Sequence, residues 1–161
     1  MAATEGPRAG IDGAGYRNSG TPGSPTWVEI DNIKDVAPAI PWDLQEAGSR
    51  ETRAKLYAKT RQDIGYQIVA RADSADAGYQ ALYDAACSPN PIDLLILDGP
   101  LTEEGASGYR AYWNVNATAG PSQGADEMQY TTFDLKPAWN GTILPKIADV
   151  GSASAVTYTA I

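Results

Sequence analysis

The chain has 161 residues, with 20 acidic and 12 basic side chains, a formal net charge of −8 at pH 7 and no histidine. The absence of histidine excludes a histidine-based metal site and a Ser-His-Asp hydrolase. The lone Cys87 excludes an intrachain disulfide and a four-cysteine zinc site. The acidic balance argues against tight binding to nucleic acid, because phosphate contacts depend on lysine and arginine. We therefore expect one domain that needs no metal and no cofactor.

The N-terminal segment is rich in glycine, proline, serine and threonine and low in apolar side chains. Such a segment buries too little surface to offset the entropy lost on ordering, so we expect residues 1–25 to form a flexible arm. It also lacks the positive and apolar regions of a signal peptide. The longest apolar run, Leu94 to Leu97, is far shorter than the ~20 residues that span a bilayer, so we expect no membrane partner.

The first strands are predicted just after this arm. Residues 27–33 (WVEIDNI) combine aromatic and β-branched side chains, which indicates a half-buried strand, and residues 40–45 (IPWDLQ) alternate between apolar and polar. Pro38 and Pro41 cannot donate hydrogen bonds to a sheet ladder. The second strand is therefore expected to lie at a sheet edge or to contain a bulge.

A basic segment follows, in which five of the twelve basic residues lie close together. They are Arg50, Arg53, Lys55, Lys59 and Arg61. The last four occupy odd positions, and a period of two indicates one arm of a hairpin with a basic face. We expect residues 46–67 to form an extended hairpin or loop, and these five side chains are our candidate subunit-interface residues.

The remaining pattern predicts one helix among several strands. The helix is expected from Ser74 to Ala86, capped by Asp73 or Ser74 and stopped by two prolines. Residues 92–97 (IDLLIL) predict a strand covered on both faces. Further strands are predicted near residues 64–72, 109–116, 129–136 and 156–161. About seven strands and one helix predict a mainly β fold, a β-sandwich or small barrel with one flanking α-helix and a long protruding hairpin.

Two functions other than a structural one are open at this point. Adjacent carboxylates, Glu103–Glu104 or Asp126–Glu127, could serve a carboxylate-only glycosidase. Both pairs lie in predicted loops beside glycine, where acidic side chains are usually solvated, so we expect no enzyme. Four tryptophans could form the sugar platform of a carbohydrate-binding module, although their apolar neighbours favour packing in the core or at a subunit interface.

Metal and thiol chemistry are not favoured. Asp31, Asn32 and Asp93 could coordinate calcium, but the spacing of a calcium-binding loop is missing. Cys87 stands at the C-terminal end of the predicted helix, where we expect a small buried or half-buried side chain rather than a nucleophile.

Several segments resemble one known family when their order and spacing are considered together. They are residues 20–36 (GTPGSPTWVEIDNIKDV), 75–82 (ADAGYQAL), 91–99 (PIDLLILDG), 107–111 (SGYRA) and 135–137 (LKP). In this combination the chain resembles the major tail tube proteins of long non-contractile-tailed bacteriophages of the siphophage type. It is distantly similar to the tube subunit of type VI secretion.

The resemblance implies a fold and a function. The fold would be one tail-tube β-sandwich domain over residues 26–161. Six copies would form a ring with a continuous inner barrel, and stacked rings would form a virion tail tube that conducts DNA at ejection without binding it specifically. The implied partners are further copies of the chain, the tail tip, the terminator and the tape measure protein, with assembly in the host cytoplasm.

Two hypotheses about charge follow from this resemblance. The basic hairpin residues would dock onto an acidic surface of a neighbouring subunit. Part of the net charge of −8 would line the bore, where acidic groups keep DNA sliding instead of retaining phosphate.

Overall fold

The structure is a computed structural model that describes residues 13–48, 53–119, 129–141 and 143–161. Its described part is mainly β with a single α-helix, as predicted. The elements are β1 (Ala14–Asn18), β2 (Trp27–Glu29), β3 (Ile33–Ala39), β4 (Trp42–Glu46), β5 (Tyr57–Gln62), β6 (Gly65–Arg71), α1 (Ala77–Ala86), β7 (Ile92–Leu97), β8 (Ser107–Ala119), β9 (Tyr130–Pro137), β10 (Lys146–Val150) and β11 (Val156–Ala160).

Nine of the strands form one antiparallel sheet: seven follow the order β2-β1-β7-β8-β9-β6-β3, and β10 and β11 branch from β8. The long strand β8 carries β7 along one edge and, along the opposite edge, first β10 and then β9. Strand β11 pairs with β10. The antiparallel sheets with one helix among the described residues agree with the predicted mainly β fold, a β-sandwich or small barrel.

Strand β7 lies between two cores. Leu94 and Ile96 point into a cluster with α1 and β6, whereas Leu95 and Leu97 point into a second cluster with β1 and β10. All four side chains are fully buried. The continuous apolar run therefore follows from burial on both faces, and this prediction is confirmed.

The helix begins three residues later than predicted, at Ala77 with Asp76 as its N-cap. The Asp76 carboxylate accepts a hydrogen bond from the Gly78 N–H at 3.0 Å, while Asp73 closes the preceding turn by accepting from the Ala75 N–H. Gly78, Tyr79 and Leu82 are buried against the sheet. No helix in the described ranges is long and apolar enough to cross a membrane.

The predicted flexible arm differs from the structure over its second half. Residues 1–12 lie outside the described residues, but Ala14–Asn18 form β1, which pairs with β2 and β7. Tyr16 is only 4% exposed, and its hydroxyl oxygen accepts a hydrogen bond from the Leu101 N–H. Gly15 leaves room for Ile33, which would lie 3.1 Å from an added Cβ. The same small residues that suggest disorder permit this close packing.

The strand predicted over residues 27–33 is divided in two. Asn32 adopts a left-handed backbone conformation with φ of 62°, which ends β2 and allows the chain to turn into β3. Asparagine tolerates this conformation better than most residues do. The strand predicted over residues 40–45 is β4, which pairs only with β5 among the described strands and has a bulge, as expected from Pro38 and Pro41.

Cys87 was expected to be buried or half-buried, and that expectation is wrong. The helix ends at Ala86, and Cys87 is exposed just beyond it. The buried face of the last turn is taken by Ala85 instead.

Candidate subunit interface

Strands β4 and β5 form a two-stranded hairpin separate from the main sheet. In the described part of the chain β4 pairs only with β5. The hairpin is anchored at its base, where the Asp63 N–H donates to the Pro41 carbonyl at 2.8 Å and the Lys136 ammonium contacts Asp63 at 2.8 Å. An isolated two-stranded hairpin is marginally stable in water, so this element lacks the sheet packing that stabilises the other strands.

The predicted interface residues lie on or near this hairpin, except for one outside the described residues. Arg50 belongs to the undescribed residues 49–52. Arg53 and Lys55 are exposed and precede β5, while Lys59 and Arg61 are exposed within it. The four described side chains therefore remain on one solvent-exposed element.

The predicted single basic face is interrupted by a bulge. Trp42 is opposite Gln62 and Leu44 is opposite Lys59, so β5 advances three residues while β4 advances two. The additional residue falls between Lys59 and Gln62, and it shifts the alternation that a regular strand would carry from Lys59 to Arg61. The basic side chains thus do not form one regular row.

Apolar side chains accompany the basic ones on this hairpin. Trp42, Leu44 and Tyr57 are 42%, 60% and 54% exposed, and Leu56 is 49% exposed. The Lys59 ammonium lies 5.6 Å from the centroid of the Trp42 ring, within the range of a cation–π contact. The hairpin therefore presents large apolar groups together with positive charge.

Asp93, which we considered as a calcium ligand, is instead committed to a buried ion pair. Arg110 donates to both carboxylate oxygens of Asp93, from Nε at 3.2 Å and from Nη2 at 2.9 Å. The guanidinium also stacks 5.1 Å from the rings of Trp27 and Tyr158. Burial opposes the charge of Arg110, but the hydrogen bond and the charge of Asp93 outweigh burial, so its pKa is raised. No group of three or more acidic or cysteine side chains in the described residues could hold a metal.

The other candidate residues are dispersed. Trp113 is fully buried and donates to the Leu94 carbonyl, and Trp27 is held against Arg110, so neither belongs to an exposed sugar platform. Glu103 and Glu104 lie in the turn between β7 and β8. Asp126 and Glu127 fall outside the described residues.

Comparison with known proteins places the fold. No known protein family matches the sequence, and no curated protein matches it. Among solved structures, a chain of the PVC sheath–tube complex of an extracellular contractile injection system, determined by cryo-EM in the extended state, matches 98% of this chain and 95% of its own length. The TM-score is 0.54 and the sequence identity is 11%. The two chains therefore share a fold along nearly their whole length.

Proposed function

We propose that the protein is a structural, non-enzymatic subunit that assembles into stacked rings, six copies to a ring, and so forms a phage tail tube. The observation that carries this proposal is the likeness of fold to a chain of an injection-system sheath–tube complex over 98% of the residues. The match extends over nearly the whole chain, and the sequence resemblance to tail tube proteins supports the same proposal.

The described strands support assembly because several of their edges are open. Strands β2, β3 and β11 each pair along one side only within the described sheet. Exposed edges are normally suppressed in monomeric proteins, since they pair with other chains. Pairing between neighbouring subunits along such edges would close a ring by rotation, and a second contact along the axis would stack the rings into a tube.

The hairpin β4–β5 supplies the second kind of contact in this proposal. Arg50, Arg53, Lys55, Lys59 and Arg61 would dock it onto acidic surface of a neighbouring subunit. The tube would sit in the virion tail and conduct DNA at ejection. Tail tip, terminator and tape measure proteins would be its other partners.

Electron microscopy of the purified full chain tests this function. Negatively stained samples at rising protein concentration are expected to show hollow tubes or stacked rings, with sedimentation velocity reporting a matching rise in mass. A chain that stays monomeric at every concentration, or that forms only irregular aggregates, would contradict the proposal.

A further inference from the structure

The exposed large hydrophobic side chains are concentrated in two regions of the described chain. Seven of nine lie either on the hairpin or near the C-terminal ends of β9 and β11. The hairpin contributes Trp42, Leu44, Leu56 and Tyr57, and the second region contributes Trp139, Leu144 and Ile161. A cluster of exposed apolar side chains is typical of a protein–protein contact.

The second region borders a groove at the base of the hairpin, which we call the root groove. Its apolar lining is formed by Ile64, Pro137, Leu144, Pro145 and Ile161. Leu144 is 74% exposed and Ile161 is 57% exposed. Gln62 and Asp63 complete the lining, and the Asp63 carboxylate is paired with the Lys136 ammonium at 2.8 Å. The groove is thus mainly apolar, with polar groups at one side.

The hairpin offers a surface of matching chemistry, which we call the apolar face: Trp42, Leu44 and Tyr57. Leu44 is directly opposite Lys59, and Glu46 is directly opposite Tyr57. Residues directly opposite in an antiparallel pair share a face, as do residues two apart on one strand. Leu44, Glu46, Tyr57 and Lys59 therefore lie on one side of the hairpin, and Trp42 continues that side along β4.

We propose that the apolar face of one copy's hairpin seats in the root groove of a second copy. The inference rests on the proposed function, because it names the contact that joins successive copies. The apolar face and the root groove are different surfaces of one chain, so the contact is head-to-tail. At one end of the assembly an apolar face stays unbound, and at the other end a root groove stays unbound. Such a contact extends an assembly along its axis when the rotation between copies does not close a ring, as a tube requires.

Charge identifies the occupant as a second copy of this chain. The hairpin from Trp42 to Gln62 has five basic and three acidic residues, a net charge of +2. The rest of the chain has seven basic and 17 acidic residues, a net charge of −10. A positive hairpin is attracted to the acidic body of another copy, which steers the apolar face toward the root groove.

Two double variants and a matched control test the contact. The hairpin variant is Leu44→Ser with Tyr57→Ser, and the groove variant is Leu144→Ser with Ile161→Ser. The control, Tyr83→Ser, removes an exposed hydrophobic side chain of α1, which lies on neither the hairpin nor the root groove. All five side chains are exposed, so unchanged circular dichroism and thermal unfolding are expected in each case.

Mixing the two variants provides the decisive measurement. Each variant alone is expected to lose tubes, whereas the control forms them like the native chain. In an equal mixture, sedimentation velocity is expected to show a species of twice the mass that either variant forms alone. The groove variant has an intact apolar face, and the hairpin variant has an intact root groove to receive it.

The outcomes separate this contact from the function on which it rests. Tubes formed by both variants, or a mixture without the doubled species, would overturn the contact even where the native chain forms tubes. Native head-to-tail oligomers that never become tubes, together with the doubled species, would support the contact and overturn the tail-tube function.

Discussion

Arg110 shows at the residue scale how this fold accommodates a buried charge. The side chain is 4% exposed, and its guanidinium joins three parts of the chain. It donates to Asp93 on β7 and to the Pro22 carbonyl in the turn before β2, and it stacks on Tyr158 of β11. Arg110 thus connects the turn before β2 and the paired strands β10 and β11 to the centre of the sheet.

Replacing Arg110 is expected to destabilise the fold more than removing the whole ion pair. Arg110→Met leaves the Asp93 carboxylate buried without its charged partner, with the Asn18 amide still donating to it at 2.9 Å, and this costs about 3–5 kcal/mol of unfolding free energy. Adding Asp93→Leu removes that uncompensated charge and is expected to recover much of the loss. Urea denaturation measures both variants, and equal stability of the single and double variants would contradict the expectation.

Gly108 is required by close packing between β7 and β8. A Cβ added there would lie 1.8 Å from the Ile96 carbonyl oxygen and 2.8 Å from its carbonyl carbon. Both neighbours are backbone atoms of a central strand, so they cannot move aside as a flexible side chain can.

Gly108→Ala is therefore expected to lower the free energy of unfolding by about 2 kcal/mol or more, through strain between the two strands. The control is Gly23→Ala, where an added Cβ meets nothing within 4 Å. Thermal unfolding compares the two. A Gly108→Ala variant as stable as Gly23→Ala would contradict the packing argument.

At the scale of elements, the observed helix differs from the predicted one in the residue that caps its N-terminus. Asp76→Ala removes the hydrogen bonds that this carboxylate accepts from the Gly78 N–H and the Asn32 amide, and it is expected to cost about 0.5–2 kcal/mol. Ser74→Ala, at the cap position that the sequence suggested, is expected to leave stability unchanged because the helix begins after it. Denaturant unfolding of both variants checks the boundary, and the reverse order of effects would refute it.

The basic hairpin provides a second prediction about an element. Arg53→Glu with Lys55→Glu and Lys59→Glu reverses three exposed charges, while the fold is expected to remain intact. Exposed ion pairs contribute about 0–1 kcal/mol each, so loss of three weakens docking by up to about 3 kcal/mol, or roughly 100-fold. Negative-stain microscopy is expected to show few or no tubes.

The control for charge alone changes three basic residues elsewhere in the chain. Lys34→Glu with Arg71→Glu and Lys146→Glu gives the same overall charge but leaves the hairpin basic. Tubes from this control and none from the hairpin variant would show that the charge needed for docking lies on the hairpin. Unimpaired tube formation by the hairpin variant would exclude docking through these residues.

At the scale of the whole molecule, the net charge of −8 is unevenly distributed and leads to a prediction about the bore. A wall that conducts DNA should carry more carboxylates than lysines and arginines, since basic groups would retain phosphate. A cryo-EM structure of the assembled tube is expected to show a net negative lumen. A net positive lumen would refute this part of the proposal.

Local periodicity was sufficient for much of the architecture. Strand β7 and the C-terminal end of α1 agree with their predicted positions, because an apolar run and a helix followed by prolines are encoded by neighbouring residues. The composition of residues 1–25 led to the prediction of a flexible arm, but part of this segment, Ala14–Asn18, forms β1. Its order comes from pairing with residues 94–97, far away in the sequence.

The candidate interface was predicted only in part for a similar reason. A cluster of basic residues is visible in the sequence, and four of the five lie exposed on or beside the hairpin. The bulge between Lys59 and Gln62 and the exposure of Trp42, Leu44 and Tyr57 are not visible there. Alternation of apolar residues looks the same whether the apolar face is buried in its own chain or left open.

The sequence alone therefore determined that this is a mainly β chain with one helix, a basic segment and an acidic remainder, because composition and short-range periodicity are local properties. Three features appear only in the folded chain: Ala14–Asn18 belong to the sheet, Arg110 and Asp93 pair, and the hairpin stays outside the main sheet. Each of these depends on which distant residues meet, and that is decided when the strands pair and the cores close.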